Sequence, residues 1–479
     1  MQLKNSLYYL LPSAVTAILP VISLPLFTRV LNAHDFGLVA LCQAYAIFIN
    51  GLANFGLSIG FERNFFTSSD DKQKGALLYS VILFVTLLTA LFGSLTALFV
   101  NPISQWLLGS NSYHSLLIVT YFAIAFTTIK TYYLTYLKNS FDAKSYVWYT
   151  IDESLIGFLI SMVLVLWVKT GVIGIVLGQL VASVIVLILL TFRFLKRVPF
   201  SLDKSAFIDA FELSIPLTPK LFVSTFSGQV DKYLIGLLNT VGAVGIYSLG
   251  QKIANISFVT MTAIQNVWSP IVYKTVFEQK DGGVIIGKLL TPFFYYSIAI
   301  ALCVSLFAEE TLILLTSEEF YGATDVIIVF SMLYGAFFFA KQPQLIYAKK
   351  TLLISFLSIV NVAGNIALIP VFVKYWGAVG AAWATLLAGA IYVLVTFLLS
   401  QKYYVIKWEY AKIMGIFLLF YVASVMTILF RNSIDIYVVR LMVKLLLIVI
   451  YFFMGVRFRI LTIELYQQLI KKTPFFKRS

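Results

Sequence analysis

Long apolar runs are the feature of this chain that most restricts its fold. Of the 479 residues, 60% are hydrophobic and 12% are charged, and the mean hydropathy is +0.93. Because soluble domains carry about 25% charged residues, this composition excludes a soluble globular protein. A bilayer is crossed by about 20 apolar residues in a helix, so the sequence predicts an all-α integral membrane protein.

The apolar runs predict fourteen transmembrane helices. They cover residues 7–28, 37–60, 75–100, 115–137, 146–168, 172–192, 210–238, 243–268, 285–308, 325–347, 352–373, 378–400, 411–430 and 436–456. The first run is too long for the hydrophobic part of a signal peptide, contains prolines and lacks a cleavage site. It is therefore predicted to be the first retained helix.

The chain also repeats itself. A lysine, a tyrosine and a second lysine recur with identical spacing 211 residues later, as Lys130, Tyr136 and Lys138 in the first copy and Lys341, Tyr347 and Lys349 in the second. Gln43 and Gln251, like Gly37 and Gly245, are related by a shift of 208 residues. Internal duplication among membrane helices is typical of secondary transporters, whose substrate site lies between the copies.

The duplication predicts four parts of the chain. Residues 1–200 form a six-helix bundle, 201–405 repeat it, 406–456 add two transmembrane helices, and 457–479 form a basic cytoplasmic tail. Because each copy has an even number of helices, the copies should be related by an axis along the membrane normal. The start of the tail, 457–472, is amphipathic and basic, and is predicted to lie on the anionic cytoplasmic leaflet.

The distribution of basic residues predicts the orientation. The net charge is +14, but the lysines and arginines lie in short loops between apolar runs, which is typical of topology signals and excludes a nucleic-acid partner. The opposite loops carry few basic residues and an acidic cluster: Arg29, Lys169, Lys374 and Arg431, with Glu309, Glu310, Glu318 and Glu319. The positive-inside rule therefore predicts that both termini are cytoplasmic.

No enzymatic or metal-binding pattern is found. Cys42 and Cys303 lie in apolar runs, and His34 and His114 lie apart in predicted outer loops, so no disulfide framework or metal cluster is expected. The sequence has no P-loop and no nucleophile elbow. We therefore expect no enzymatic activity, no metal and no cofactor.

Lys130 and Lys341 are the first candidate site residues. Each is predicted to lie about 8 residues, or roughly 12 Å of helix, inside the boundary marked by Lys138 or Lys349. Two repeat-related cations at this depth predict a cavity that binds an anion, and the following tyrosines could stack on sugar rings. The alternative is that both lysines extend their side chains to the lipid headgroups.

The seventh predicted helix is the most polar span. Two prolines interrupt its first half, and four polar residues then share one face at spacings of four, three and four; in order, these residues are Pro216, Pro219, Lys220, Ser224, Ser227 and Asp231. Because charge facing lipid is costly, this face predicts a cavity wall with Lys220 on the substrate and Asp231 in ion coupling. The alternative is structural pairing of Lys220 or Lys232 with Asp231.

Two repeat-related helices carry matching polar faces. They contribute Gln43, Asn50 and Asn54 from the second helix, and Ser248, Gln251, Lys252 and Asn255 from the eighth. Amides at these positions could bind glycan hydroxyls. They could equally hold helices together, at about 1 kcal/mol for each hydrogen bond.

Four further charges receive structural interpretations. Arg440 and Lys444 lie outside the repeat and are interpreted as lipid-headgroup or structural contacts. Asp152 and Glu153 are interpreted as an acidic pair in the first turn of the fifth helix, where the helix dipole favours negative charge. The alternative is that they carry a proton or a cation.

Three segments resemble a known family. PLFTRVLNAHDFGLVAL at 25–41, GFERNFF at 60–66 and QVDKYLIGLLNTVGAVGIYSLGQKIA at 229–254 resemble Wzx-type polysaccharide flippases. These belong to the multidrug/oligosaccharidyl-lipid/polysaccharide exporter superfamily. The resemblance spans essentially the whole chain, including the number of helices.

The resemblance implies a flippase of the bacterial inner membrane. Such a protein moves undecaprenyl-diphosphate-linked oligosaccharide repeat units to the outer leaflet by alternating access, for O-antigen (lipopolysaccharide), capsule or exopolysaccharide synthesis. It implies membrane lipids, a polysaccharide polymerase and a chain-length regulator as partners, with a proton or sodium ion for coupling. Arg29 and Arg63, in the matching TRVL and FERN segments, receive a structural or gating role.

Two alternatives remain. A multidrug or cation antiporter of the same superfamily should favour acidic cavity residues, and Asp231 is the clear mid-chain acid among several lysines. A membrane scaffold without transport activity would have no charge-sensitive cavity.

Overall fold

The computed structural model describes residues 10–67, 70–278, 282–341 and 343–460. Within these ranges all regular structure is helical and no strand occurs, which confirms the all-α prediction. Most of the basic tail lies outside the described residues. The chain forms two compact units, one of Met1–Ser248 with Leu315–Ser317, and a second of Leu249–Leu314 with Glu318–Ser479.

The helices of the first unit are mostly long and connected by short turns. They are α1 (Leu10–Ile22), α2 (Leu24–Phe27), α3 (Ala33–Asn54), α4 (Leu57–Thr67), α5 (Asp71–Leu98), α6 (Val100–Leu108), α7 (His114–Asn139), α8 (Ala143–Met162), α9 (Ile173–Arg197), α10 (Lys204–Ser214) and α11 (Thr218–Leu238). The start of α12 (Val241–Glu278) also belongs to this unit.

The second unit contains the rest of α12 and the helices that follow. They are α13 (Gly282–Leu306), α14 (Ala308–Leu315), α15 (Ala323–Ala336), α16 (Pro343–Tyr347), α17 (Thr351–Gln401), α18 (Tyr410–Ser433) and α19 (Tyr437–Arg457). The predicted spans 352–373 and 378–400 fall in the single element α17, which is kinked at Gly377. Gly377 has φ 53° and ψ −130°, a conformation that L-residues with side chains avoid.

By length and composition, ten helices of the described residues are able to cross a membrane. One of them, Leu352–Gln401, contains two of the predicted spans. The predicted spans 7–28, 210–238 and 243–268 are helical in the structure over most of the residues that it describes. The fold is therefore compatible with the prediction of fourteen spans, and the chain is a multi-pass membrane protein.

The predicted break in the seventh span is confirmed. α10 ends at Ser214, the residues Ile215–Leu217 form a 3-10 turn, and α11 begins at Thr218. Pro216 lies in this turn and cannot donate a helical hydrogen bond. The Thr218 hydroxyl donates to the Ser214 carbonyl at 3.0 Å and to the Phe55 carbonyl at 2.9 Å, so the break is tied to the end of α3.

Two repeat-related glycines meet where α3 and α12 begin. A Cβ on Gly37 would lie 1.8 Å from the Val241 carbonyl oxygen, and one on Gly245 would lie 1.9 Å from the Ala33 carbonyl oxygen. Real Cβ atoms do not approach oxygen so closely, so both positions require glycine at the present helix separation. The start of α3 is fixed by a capping box between Asn32 and Asp35.

The core of the first unit packs aromatic and aliphatic side chains from α4, α5, α7, α9 and α10. It includes Phe61, Phe65, Tyr132, Tyr136 and Phe194, whose rings meet edge to face at centroid distances of 5.0–5.6 Å. Such pairs are favourable beyond the area that they bury. This core fixes the end of α7 that carries Lys130.

In the second unit, α15 is the central helix, since every residue from Ala323 to Ala336 except Asp325 is buried. α13, α17 and α18 pack against it. α19 is joined to α13 by Tyr451 and Tyr295, whose rings stack at 4.7 Å and whose hydroxyls each donate to the other's backbone carbonyl, at 2.6 and 3.2 Å. Satisfied hydroxyl groups allow both tyrosines to be buried.

Candidate functional site

Lys130 lies in the interior of the first unit rather than on an open cavity wall. Its residue is 2% exposed, and its Nζ forms an ion pair with Oε2 of Glu153. Since a desolvated ammonium group is costly in a protein interior unless it is paired, Glu153 accounts for the burial of Lys130. This position contrasts with the expected solvent-filled surroundings of Lys130.

The position of Glu153 corrects a second expectation. α8 begins at Ala143, so Asp152 and Glu153 lie in the middle of that helix and not in its first turn. The helix dipole therefore does not account for them. Their isolation in an apolar run was the signal that one acid needed a partner on another helix.

Hydrogen bonds extend the ion pair across α7, α8 and α9. The Ser183 hydroxyl lies 3.2 Å from Glu153 Oε1 and 3.0 Å from Thr127 Oγ1. One turn earlier on α9, the Gln179 side chain accepts from Gln43 Nε2 on α3 at 3.4 Å. Gln43 is thus placed as a contact between helices, the structural alternative considered for it.

The predicted sugar-stacking tyrosines of the first copy are core residues. Tyr132, Tyr133 and Tyr136 are 3%, 3% and 7% exposed. The Tyr132 hydroxyl donates to Asn54 Oδ1 on α3. The three tyrosine rings pack against Phe61 and Phe65 of α4 and Phe194 of α9.

Asn50 is fully buried in α3 at 1% exposed. Its Nδ2 donates to the Ala46 carbonyl at 2.9 Å, while its Oδ1 is buried with no hydrogen-bond partner in the described part of the chain. An unsatisfied buried acceptor costs about 1–3 kcal/mol. Asn50 Oδ1 could therefore still accept a hydrogen bond inside the first unit.

Asp231 is buried in α11 and accepts a hydrogen bond of 2.6 Å from the hydroxyl of Tyr247 on α12. Its neighbour Lys232 donates to Gln229 Oε1 at 3.0 Å. The Lys220 side chain lies outside what the structure describes. Of the face predicted from Lys220 to Asp231, the structure thus describes the side chains of Ser227 and Asp231.

Lys341 differs from Lys130 in its backbone. α15 ends at Ala336, Phe337–Phe339 form a 3-10 turn, and α16 begins at Pro343. Proline lacks the N–H that a continuous helix requires and disfavours helix in the residue before it. The depth expected for Lys341 from an unbroken helix therefore does not apply to the second copy.

The Lys341 side chain is half-buried, with its Nζ 5.8 Å from the ring centroid of Trp268. It forms no ion pair among the described residues. A cation over an indole ring is attracted by about 0.5–2 kcal/mol, which does not replace a carboxylate. Lys341 therefore retains an uncompensated positive charge in the second unit.

Lys252 is exposed on α12 and likewise has no ion pair within the described ranges. Gln251 and Asn255 lie beside it on the same helix and are half-buried. α12 is apolar around them, so an accessible lysine here needs water or an anion rather than lipid. On the predicted polar face of the eighth helix, Lys252 is thus accessible, whereas Ser248 is buried. The polar residues of the second helix are mostly engaged in packing.

The two arginines of the matching segments differ. Arg63 contacts Asp209 Oδ2 on α10 at 3.3 Å, and Asn64 Nδ2 donates to the same oxygen at 2.8 Å. These contacts join α4 to α10, in keeping with a structural role. Arg29 is exposed in the turn after α2, with no ion pair to any described residue.

Helix α19 is anchored by charge. Arg440 and Lys444 pair with Glu309 at 2.8 and 3.0 Å, and Lys444 also pairs with Glu310 at 2.7 Å. Lys444 is 3% exposed, so it needs these carboxylates to be buried. The structural interpretation of these two cations therefore accounts for their positions, and lipid headgroups are not required.

Comparison with known proteins assigns the family. A profile of the family described as polysaccharide biosynthesis protein matches residues 2–276. The chain belongs to this family. A search of curated proteins gave no match.

Solved transporter structures share the fold of this polysaccharide biosynthesis family member. The chain is similar to the lipid II flippase MurJ in its inward closed conformation, with a TM-score of 0.69 and 15% identity, over 95% of this chain and 99% of that one. It is similar to the MATE multidrug transporter DinF-BH (TM-score 0.59, 16% identity, 84% and 95% covered). For the D35N mutant of the Vibrio cholerae MATE transporter VcmN, the TM-score is 0.52 at 14% identity, with 84% and 95% covered. At these identities the likeness concerns the fold.

Among the described residues, no group of three or more histidine, cysteine, aspartate or glutamate side chains is placed to hold a metal ion.

Proposed function

We propose that this family member is a flippase that moves undecaprenyl-diphosphate-linked oligosaccharide repeat units across the bacterial inner membrane by alternating access. The observation that carries the proposal is the match to a polysaccharide biosynthesis family in a chain built of membrane helices. A glycan joined to a diphosphate cannot cross hydrocarbon without a polar path. The surface polymer, whether O-antigen, capsule or exopolysaccharide, would then be made by a polymerase and a chain-length regulator.

The diphosphate would be bound by lysines that have no carboxylate partner. Lys252 and Lys341 meet this criterion within the described residues, and Lys220 joins them on the sequence pattern alone. Gln251 and Asn255 beside Lys252 supply amides for glycan hydroxyls. Lys130 receives a structural role in this proposal, because its charge is already neutralised by Glu153.

Asp231 is proposed as the coupling residue for a proton or sodium ion, since it is a buried carboxylate on the polar face of α11. Asp231→Asn separates coupling from structure. Normal abundance with lost transport supports coupling, whereas lost abundance supports a structural role through Tyr247.

Complementation of a flippase-deficient strain tests the function. Lys252→Gln and Lys341→Gln should each reduce surface polymer and accumulate lipid-linked precursor in the inner leaflet, with normal protein abundance. The Lys→Arg variants should be milder because guanidinium also binds phosphate oxygens. Lys196→Gln, at an exposed position near the end of α9, is the matched control. Failure of the wild-type chain to restore polymer in a strain that makes its precursor would exclude this function.

A multidrug or cation antiporter is the second candidate, favoured by the fold shared with DinF-BH and VcmN. Its cationic substrates would require acidic cavity residues, yet the accessible groups Lys252 and Lys341 are cationic. Efflux of a fluorescent cationic dye from cells that express the chain decides between the two. Efflux that depends on Asp231 and not on Lys252 would favour the antiporter.

The orientation in the inner membrane is part of the proposal, with both termini cytoplasmic. Lys196→Cys and Glu318→Cys should react from opposite sides of the membrane with an impermeant thiol reagent. Native Cys303 is exposed and must first be replaced by serine. Labelling of both positions from the same side would contradict the topology.

A further inference from the structure

A pocket of about 600 Å³ lies inside the first unit at the end where α7 and α9 finish and α5 and α8 begin. This volume falls within the range of small-molecule sites, roughly 300–1,000 Å³. The charged lining consists of three basic and two acidic side chains: Lys74, Arg193, Arg197, Asp71 and Asp142. The lining therefore has a net positive charge.

Two hydrogen-bond donors of the pocket lining are buried without a partner. Asn139, the last residue of α7, is 6% exposed, and its Nδ2 has no partner in the described ranges. Arg193 donates from Nη2 to Asp142 Oδ2 at 2.9 Å and to the Ser145 hydroxyl at 2.7 Å, but its Nε is buried and unpartnered among the same residues. Buried donors are rarely left unsatisfied, and both nitrogens are closed off from solvent behind the pocket surface, so a bound acceptor reaches them only when neighbouring side chains move.

Arg197 adds an unpaired charge. It is exposed at the end of α9 and forms no ion pair with any described residue. Lys74 is 3.8 Å from Asp71, a weak pair within one helix. Unpaired guanidinium with unsatisfied N–H donors is the chemistry that recognises phosphate oxygens.

The rim of the pocket is aromatic. Phe66 at the end of α4 is 61% exposed, and Phe141 between α7 and α8 is 71% exposed. Phe141 has φ 58°, a left-handed conformation that is uncommon for a residue with a bulky side chain. Exposed aromatic rings beside a cationic pocket suit an amphiphile, whose apolar part meets the rings while its anionic head enters.

We propose that this pocket binds a phosphate-bearing headgroup. Arg197 would supply the accessible charge, and the two phenylalanines would contact the adjoining apolar chain. Asn139 Nδ2 and Arg193 Nε would donate hydrogen bonds after a side-chain movement that exposes them to the headgroup. The same phosphate chemistry is offered by an anionic membrane lipid and by a soluble phosphate ester. The inference does not rest on the proposed transport activity, because binding alone is measured.

Native mass spectrometry of the full-length protein in detergent tests the proposal, with phosphatidylglycerol, phosphatidylcholine, glycerol 3-phosphate and inorganic phosphate as separate probes. We expect retention of phosphatidylglycerol over phosphatidylcholine. Arg197→Gln should weaken this binding about tenfold, the loss typical of one charge-assisted hydrogen bond, and added salt should weaken it further. Asn139→Leu should weaken it with little change in side-chain volume.

Lys196→Gln is the matched control, since Lys196 is an exposed neighbour of Arg197 that does not line the pocket. It should bind like the wild type. Binding of glycerol 3-phosphate or phosphate that is lost in Arg197→Gln would support the site and identify a soluble source. Absence of binding by all four probes, or equal loss in Arg197→Gln and Lys196→Gln, would overturn the proposal. Because Arg197 is exposed, its variant should fold even if Asn139→Leu does not.

Discussion

Lys130 in the first unit and Lys341 in the second occupy equivalent places in the sequence repeat but have opposite surroundings. Lys130 is buried and neutralised by Glu153, and a hydrogen-bond network supports the pair. Lys341 is half-buried against Trp268 and has no carboxylate partner among the described residues. Corresponding positions of the sequence repeat therefore hold a lysine in both halves, and that lysine has a carboxylate partner in the first half.

The repeat itself shows where the difference arises. Shifting Glu153 by 208 to 211 residues, the range found for the repeat, reaches positions 361–364, which hold asparagine, valine, alanine and glycine and no carboxylate. A Cβ at Gly364 would meet no atom within 4 Å, so the absence of a carboxylate there is not imposed by lack of space at Cβ. Two lysines at equivalent positions of the repeat thus need not both be neutralised, because neutralisation depends on a carboxylate that tertiary packing brings close.

The largest expected effect is that of Glu153→Gln. It leaves the Lys130 ammonium buried beside a neutral amide, and loss of one partner of a buried pair costs about 3–5 kcal/mol. The apparent melting temperature of the purified protein in detergent should fall by several degrees, together with abundance in the membrane. Asp152→Asn is the matched control, because the adjacent acid has no ion pair in the described part of the chain. Equal melting temperatures for the two variants would contradict the role of the pair.

The double variant Lys130→Met with Glu153→Leu should recover much of that loss. Replacing a buried ion pair with apolar side chains of similar size is often neutral, so we expect stability within about 2 kcal/mol of the wild type. A double-mutant cycle measures the coupling of the two positions. Additive losses in the double variant would show that the two charges act independently.

Trp268→Phe tests the partner of Lys341 and should cost about 1 kcal/mol. A ring face for the cation remains, and the indole N–H has no hydrogen-bond partner among the described residues, so the cost comes mainly from the smaller side chain. The melting temperature and the polymer assay should both change little. A loss as large as that of Glu153→Gln would indicate a further role for the indole nitrogen.

Lys341→Gln should have the smallest effect on stability, below about 1 kcal/mol, since only a cation–π contact is removed. The comparison is sharpest when Lys130→Gln and Lys341→Gln are measured together. Lys130→Gln should lower the melting temperature, whereas Lys341→Gln should leave it nearly unchanged and reduce polymer export. The reverse order of the two melting temperatures would show that the contrast between the copies is mistaken.

Properties that depend on local sequence could be predicted. Apolar runs indicated the helices, and Pro216 indicated the break before α11, because both act through neighbours in the chain. The break near Lys341 was also encoded locally, by Pro343, but the apolar run 325–347 concealed it. The kink at Gly377 lies between two spans that were predicted as separate helices.

The partners of the candidate site residues could not be predicted in the same way. Lys130 and Glu153 lie on different helices, and only the packing of α7 against α8 and α9 brings them together. Tyr132 illustrates the same limit, because an aromatic residue after a lysine fits a sugar site and a helix interface equally well. Burial decides between the two, and burial is a property of the packed bundle.

The close approach of Gly37 and Gly245 has the form of a contact across a two-fold axis. In a symmetric dimer, a residue on the two-fold axis touches its own copy in the partner. Gly37 and Gly245 are copies of one another in the sequence, and each faces the start of the other's helix. In a symmetric dimer of half-length chains, one mutation at such a glycine would change both sides of the contact. In the single chain the two positions can vary separately, yet the backbone contact requires glycine at both.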